Sequence, residues 1–225
     1  MDIRLAVLDI AGTTVRDDGQ VPAAFWAALA AHGVDLTADQ VRQVRGASKR
    51  QAILSLLPEG PDLAARAEAA YADFRDELAR RYRETATPIV GAAGAVDALR
   101  GRGIFVALNT GFDRGITTML LDALGWGAGM FDAVVCGDEV EAGRPAPDLI
   151  RAAMNRVGVT DPGCVASAGD TVLDVRAGHA AGVRVNVAVL SGAHAREMLE
   201  AERPTHLIGS VAELPGLLHH AHPRH

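Results

Sequence analysis

Short apolar runs rich in β-branched residues recur along this chain, and most are separated by segments of helical length. The runs are Ile3–Leu8 (ending at Asp9), Ile104–Leu108, Ala133–Val135, Val165–Ala168 and Val183–Val189. Each is brief and bounded by Gly, Asp or Asn, the pattern of strands buried on both faces of a parallel sheet. Between them lie Ala92–Arg100, Gly115–Leu124, Pro147–Val157, Leu173–Ala181 and His194–Glu202. Alternation of this kind predicts a doubly wound, Rossmann-like parallel α/β sheet.

One stretch breaks the alternation. From Val21 to Tyr82 the pattern is helical throughout. PAAFWAALAAHG has a proline at its start and Gly33 as a stop. TADQ (Thr37–Gln40) and SKRQ (Ser48–Gln51) both fit the capping box S/T-x-x-E/Q. A long Ala/Arg/Glu-rich helix is expected from Asp62 to Arg83, after which Pro88 returns the chain to the sheet. The predicted organisation is an α/β core of residues 1–15 and 89–225 carrying a helical insert, residues 16–88.

A net charge of −6 and a pI near 5.7 argue against a nucleic-acid or anionic-membrane surface and favour a soluble enzyme. No apolar run approaches the ~18 residues of a membrane span. The N-terminus lacks an export leader. Cys136 and Cys164, in apolar runs, are expected to be buried free thiols, in keeping with a cytoplasmic location. The tail HHAHPRH is expected to be exposed chain.

Polar clusters sit just past the strand ends: Asp9 in LDIAGTT, Thr110 in LNTGF, Arg144 in GRPAPD, and Asp170 with Asp174 in SAGDTVLD. Ligands of open parallel sheets bind at the carboxyl ends of the strands, so these residues are candidates for one site. Together they suit phosphoryl transfer. Two carboxylates hold a hard divalent cation through oxygen, and Asp9 is placed to attack phosphorus. The Thr110 hydroxyl and the backbone N–H groups of AGT (Gly12, Thr13) and TG (Gly111) would bind the phosphoryl oxygens. Any one of these Asp or Thr residues alone is as well explained as a helix cap. The ordered set is not.

That set resembles the haloacid dehalogenase superfamily, whose motifs are D-x-D-x-T, a strand-end Ser/Thr, a Lys/Arg, and G-D-x-x-x-D. The resemblance runs from Asp9 to Asp174 and implies that the helical insert is a cap domain. In most phosphatases of the family a second Asp stands two residues after the nucleophile as acid and base. Here that residue is Ala11, which removes about 10² to 10⁴ of acid–base assistance. DIAGTT is similar to the phosphonoacetaldehyde hydrolase (phosphonatase) branch, where D-x-A-G-T replaces D-x-D-x-T, the third motif uses Arg, and a cap lysine forms a Schiff base.

Lys49 in RGASKR, three residues after Gly46, occupies the matching place. It is the one lysine among 22 Lys and Arg residues. A position at the start of a helix, with Arg45 and Arg50 nearby, disfavours the ammonium and favours the amine that attacks a carbonyl. Arginine stays protonated and could not replace it.

The resemblance implies C–P hydrolysis of phosphonoacetaldehyde or a related 2-oxoalkyl phosphonate. Lys49 would be the Schiff-base amine and Asp9 the nucleophile. Gly12, Thr13, Gly46, Thr110, Gly111 and Arg144 would contact substrate. Mg²⁺ would sit on Asp9, Asp170 and the Ala11 carbonyl, with Asp174 orienting its shell. The branch pattern has a His three residues after the lysine and a Tyr in the second motif, where this chain has Ala52 and Phe112.

The alternative is a phosphatase of a small phosphorylated metabolite, with Lys49 gripping an anion. A non-catalytic binder of phosphorylated ligands is a further alternative, against which the intact Asp9, Thr110, Arg144 and Asp170 count. Adjacent Phe25 and Trp26 cannot both face one narrow helix stripe, which fits a homodimer through the cap and fits ordinary packing of the cap on the core equally well.

Overall fold

In a computed structural model, residues 2–220 are described, leaving aside the side chains of 219 and 220. The expectation for the His-rich tail therefore lies outside the described residues. The strands are β1 (Leu5–Asp9), β2 (Phe105–Asn109), β3 (Ala133–Val135), β4 (Val165–Gly169), β5 (Val185–Val189) and β6 (His206–Ile208). They form one sheet in the order β3-β2-β1-β4-β5-β6, with every pairing parallel. This is the doubly wound order, whose crevice opens where the connections reverse direction beside β1. β1, β4 and β5 are buried along their whole length, as strands covered by helices on both faces must be.

The helices are α1 (Gln20–Ala31), α2 (Ala38–Gln43), α3 (Lys49–Leu56), α4 (Leu63–Thr85), α5 (Ala92–Arg100), α6 (Arg114–Ala123), α7 (Asp148–Val157), α8 (Val172–Ala181), α9 (Arg196–Ala201) and α10 (Leu214–His220). The first four follow β1 directly and contain no strand. The chain leaves and re-enters the sheet side by side, with Val15 bridging Pro88 and the Arg16 N–H donating to Thr87 O at 2.9 Å.

Phe25 of α1 packs on Phe74 of α4 with ring centroids 4.7 Å apart. Burying each such ring is worth roughly 1.5–3 kcal/mol. α4 is fastened to the sheet layer through Asp113. Its carboxylate accepts from Tyr71 Oη at 2.5 Å and pairs with Arg75 Nε at 2.7 Å while capping α6 through Ile116 N.

Several expectations are corrected. β6 had no place in the sequence reading, because HLI is three residues long and only partly buried. α1 starts two residues before its proline, at Gln20 after the left-handed Gly19. The capping box at Thr37 forms, but Ser48 makes no capping hydrogen bond. The Lys49 N–H, at the first helical position, donates to Gly111 O at 3.2 Å, which ties the start of α3 to the core, while the N–H groups that a serine cap would satisfy are those one and two residues further on. Cys136 is buried, but Cys164 is half-buried, since it lies in the short turn entering β4. The two aromatic rings of α1 part company: Phe25 is buried, whereas Trp26 is 41% exposed. No helix among the described residues is long and apolar enough to cross a membrane.

Candidate active site

Parallel register places the catalytic candidates beside one another. Asp9 ends β1 opposite Asn109, so Thr110 leaves the next strand at the same level. Leu8 lies opposite Ala168 on the other side, which delivers Asp170 to the same rim. Asp9, Thr110, Arg144, Asp170 and Asp174 are all buried.

The turn after β1 closes on itself. Gly12 N donates to Val15 O at 2.7 Å and Thr13 N to Ile10 O at 3.2 Å. These two N–H groups are therefore spent within the turn, contrary to their expected role as phosphate donors. Their residues act otherwise. Gly12 has φ +92°, and a Cβ there would lie 2.3 Å from Asp170 Oδ2, so only glycine lets the carboxylate approach. Thr13 Oγ1 donates to Asp170 Oδ1 at 3.4 Å.

Arg144 is the hub. Nη2 lies 2.7 Å from Asp9 Oδ1 and donates to Asn109 Oδ1 at 2.8 Å. Nη1 donates to Gly46 O at 3.4 Å. Nε stands 2.8 Å from Asp174 Oδ1 as an ion pair without hydrogen-bond alignment. Asp174 Oδ2 accepts from Thr171 N and Thr171 Oγ1 at 3.0 and 2.5 Å, the capping box that starts α8. Asp174 is thus committed to orienting Arg144 and the helix. Asn109 was missed by sequence reasoning, its one signal being a polar residue at a strand end; Thr171, which the sequence offered as a cap for the following helix, caps α8.

The loop before α3 closes over this rim. Gly46 has φ +85°, with Thr171 Oγ1 2.4 Å from where its Cβ would stand, and a Cβ on Gly111 would meet Ala47 O at 2.3 Å. His194, on the loop after β5, takes the Val172 N–H at Nδ1 and reaches Arg42 O at 3.4 Å. The enclosed pocket, about 20 Å³, is lined by Asp9, Ala11, Lys49, Thr110, Arg144 and Asp170 among others.

Lys49 is the first residue of α3 and only 5% exposed. Its Nζ donates to Ala47 O at 3.0 Å and lies 5.4 Å from the Phe112 ring centroid. Burial pushes its pKa down from 10.5 to about 8; Arg45 and Arg144 push the same way, while Asp9 and Asp17 oppose them. Arg45 is itself buried and paired with Asp17. The expected help from Arg50 is absent, because that guanidinium pairs with Glu68 and stacks 4.7 Å over Tyr71.

Burial also raises Asp9 to about 6, against the attraction of Arg144. Burial, with Asp9 and Asp174 adding repulsion, raises Asp170 to about 8. These three carboxylates each offer an oxygen within 4.8 Å of the others. A crowded all-oxygen donor set, in which burial holds Asp9 and Asp170 toward their neutral forms, suits a hard divalent cation.

A buried carboxylate ending β1 and a buried guanidinium at the rim of a doubly wound sheet suit a hydrolase of the α/β class. Residues 3–182 match the haloacid dehalogenase-like hydrolases, and the chain belongs to that family.

The chain is similar to the phosphonoacetaldehyde hydrolase of Nitratidesulfovibrio vulgaris, 31% identical over 195 residues covering 80% of this chain and 69% of the relative. It is also similar to the Bacteroides fragilis protein of the same name, 30% identical and covering 94% of this chain and 84% of that one. Among solved structures, a phosphonoacetaldehyde hydrolase-like protein from Oleispira antarctica superposes with a TM-score of 0.85 at 22% identity. That match covers 98% of this chain and 92% of the other.

Proposed function

We propose that this protein hydrolyses the carbon–phosphorus bond of phosphonoacetaldehyde or a related 2-oxoalkyl phosphonate. The observation that carries the proposal is a buried primary amine, Lys49, in the same pocket as Asp9, with Ala11 where a leaving-group acid would stand.

Lys49 condenses with the carbonyl, releasing water and leaving an iminium. The Asp9 carboxylate then attacks phosphorus. The C–P bond breaks, and its electron pair moves into the iminium to give a neutral enamine, so the leaving carbon needs no acid at position 11. Water hydrolyses the aspartyl-phosphate to phosphate. Protonation of the enamine carbon regenerates the imine, whose hydrolysis frees the aldehyde and Lys49.

Arg144 holds Asp9 in line and neutralises it in the ground state. Thr110 and Gly111, which line the same pocket as Asp9, would contact the phosphoryl oxygens. Mg²⁺ held by Asp9, Asp170 and the Ala11 carbonyl, with Asp174 steadying the surrounding groups, would neutralise charge on the phosphoryl group. A pocket of about 20 Å³ has room for about one water, so substrate binding requires the layer α1–α4 to lift.

Phosphorus NMR of the protein with Mg²⁺ and phosphonoacetaldehyde tests the proposal. Growth of the inorganic phosphate signal is expected. A substrate signal that stays intact, alongside phosphate release from simple phosphate monoesters, would favour the phosphatase reading, with Lys49 as an anion-binding residue.

A further inference from the structure

Three cationic side chains line the catalytic pocket: Lys49, Arg144 and Arg45. Lys49 is the amine, and Arg144 is held by Asp9, Asp174 and Asn109. Arg45 enters the proposed chemistry only by repelling the Lys49 ammonium, yet it is 9% exposed and borders the space that substrate must fill.

Stability does not account for it. Its partner Asp17 has a fully buried carboxylate, which also accepts from Val21 N at 3.0 Å. Apolar side chains of similar volume often replace a buried ion pair at no cost in stability. The guanidinium is also underused. It carries five N–H donors, and its one hydrogen bond among the described residues runs from Nη2 to Asp17 Oδ2. The other nitrogens are not sealed off as buried, unpaired atoms, so they front space that a ligand atom can enter.

That space lies on two sides. Besides the pocket of about 20 Å³, Arg45 lines a cavity of about 180 Å³, walled by Trp26 of α1, by Val41 and Arg42 of α2 and by Ala193. Among the described residues, Arg45 alone is common to both linings. The side chain is therefore the partition between them, with room behind it to give way as a substrate group arrives.

With phosphorus at Asp9 and the carbonyl carbon at Lys49, a 2-oxoalkyl phosphonate has one substituent left on that carbon. In an aldehyde it is hydrogen, which offers a guanidinium nothing. A carboxylate there accepts charge-assisted N–H bonds. Val21 and Phe112, also in the lining, are apolar and give such a group no contact of that kind.

We propose that Arg45 is the specificity-determining residue of this site and binds a carboxylate on the substrate's carbonyl carbon, which makes 3-phosphono-2-oxo acids the preferred substrate class. Lys49 condenses with the 2-oxo group and releases water. As Asp9 takes the phosphoryl group, the C–P electron pair enters the iminium to give an enamine that bears the carboxylate. A proton from water goes to the carbon. Hydrolysis of the imine and of the aspartyl-phosphate then gives a 2-oxo acid and phosphate, with one water consumed overall. The inference rests on the Schiff-base reading of Lys49 and narrows its substrate.

The test compares kcat/KM for phosphate release from 3-phosphonopyruvate, phosphonoacetaldehyde and phosphonoacetone, whose carbonyl carbons carry carboxylate, hydrogen and methyl. The wild-type protein should favour the oxo acid over both others, and Arg45→Met should lower that preference about 10²-fold or more, chiefly through KM. Taking the ratio within each protein cancels the effect of Arg45 on Lys49, which all three substrates share. Asp17→Asn combined with Arg45→Met removes the carboxylate that the single variant strands, and serves where the single variant does not fold. A wild-type protein that prefers the aldehyde, or a preference for the oxo acid that survives loss of Arg45, would overturn the proposal. Phosphate from none of the three, with release from simple phosphate monoesters, would sink the Schiff-base reading and this inference with it.

Discussion

Lys49→Met is expected to make the protein more stable at neutral pH while abolishing its activity. Lys49 titrates at about 8 rather than 10.5, and each pKa unit is worth about 1.4 kcal/mol. Holding the ammonium in the folded state below pH 8 thus costs about 3 kcal/mol.

Between pH 8 and 10.5 the unfolded chain keeps a proton that the folded protein has released, so the wild-type protein gains stability from this group as pH rises. Methionine carries no such penalty and retains an apolar stem beside Phe112. The stability advantage of Lys49→Met should therefore be largest at pH 7 and shrink by about 2–3 kcal/mol on approaching pH 10. Comparing the two proteins at each pH cancels other titrating groups such as Cys136, which burial pushes up to about 11. Urea unfolding at pH 7, 8, 9 and 10 reads the difference directly. A difference that does not change with pH would refute the reasoning, because it would mean that the amine is not held against its charged form.

Other consequences follow from the same geometry. Arg45→Met removes the cation that acts most strongly on Lys49, so the pH at which activity is half-maximal should rise and the rate at pH 7 should fall; an unmoved pH profile would show that Arg45 serves only to pair with Asp17. Gly111→Ala puts a Cβ 2.3 Å from Ala47 O, in backbone that cannot easily yield, and is expected to raise KM and weaken closure of the helical layer while the sheet keeps its circular dichroism signal. A homodimer through the helical layer is a further proposal, resting on exposed Trp26, and an unchanged elution volume for Trp26→Glu would count against it.

The parallel strands were legible because burial on both faces demands apolar runs; β1 has one in LAVL, and β4 interrupts its own only with Ser167, which is buried and hydrogen-bonded to Asn186. β6 was not, since a three-residue edge strand exposes part of itself and needs no such pattern. The site residues at strand ends could be read because the sheet converts sequence distance into adjacency by a fixed register. Asn109, recruited from the side, escaped notice: its side-chain oxygen accepts from Arg144, a contact that no local pattern announces, whereas the capping role of Thr171 was legible. The two capping boxes illustrate the limit. Thr37 starts an exposed helix and keeps its local hydrogen bonds, whereas Ser48 starts a helix tied to the core by the Lys49 N–H bond to Gly111 O, and its hydroxyl caps nothing. The pairing of Ala11 with Lys49 needed no tertiary information, but the source of the lysine's low pKa did, since Arg45 contributes and Arg50 points elsewhere.

The most direct test of the account is reductive trapping. Sodium borohydride added with phosphonoacetaldehyde should inactivate the protein and leave a reduced adduct on the peptide that carries Lys49, with neither effect when substrate is omitted. Phosphate release that continues undiminished in Lys49→Arg, with no adduct on the wild-type protein, would contradict it.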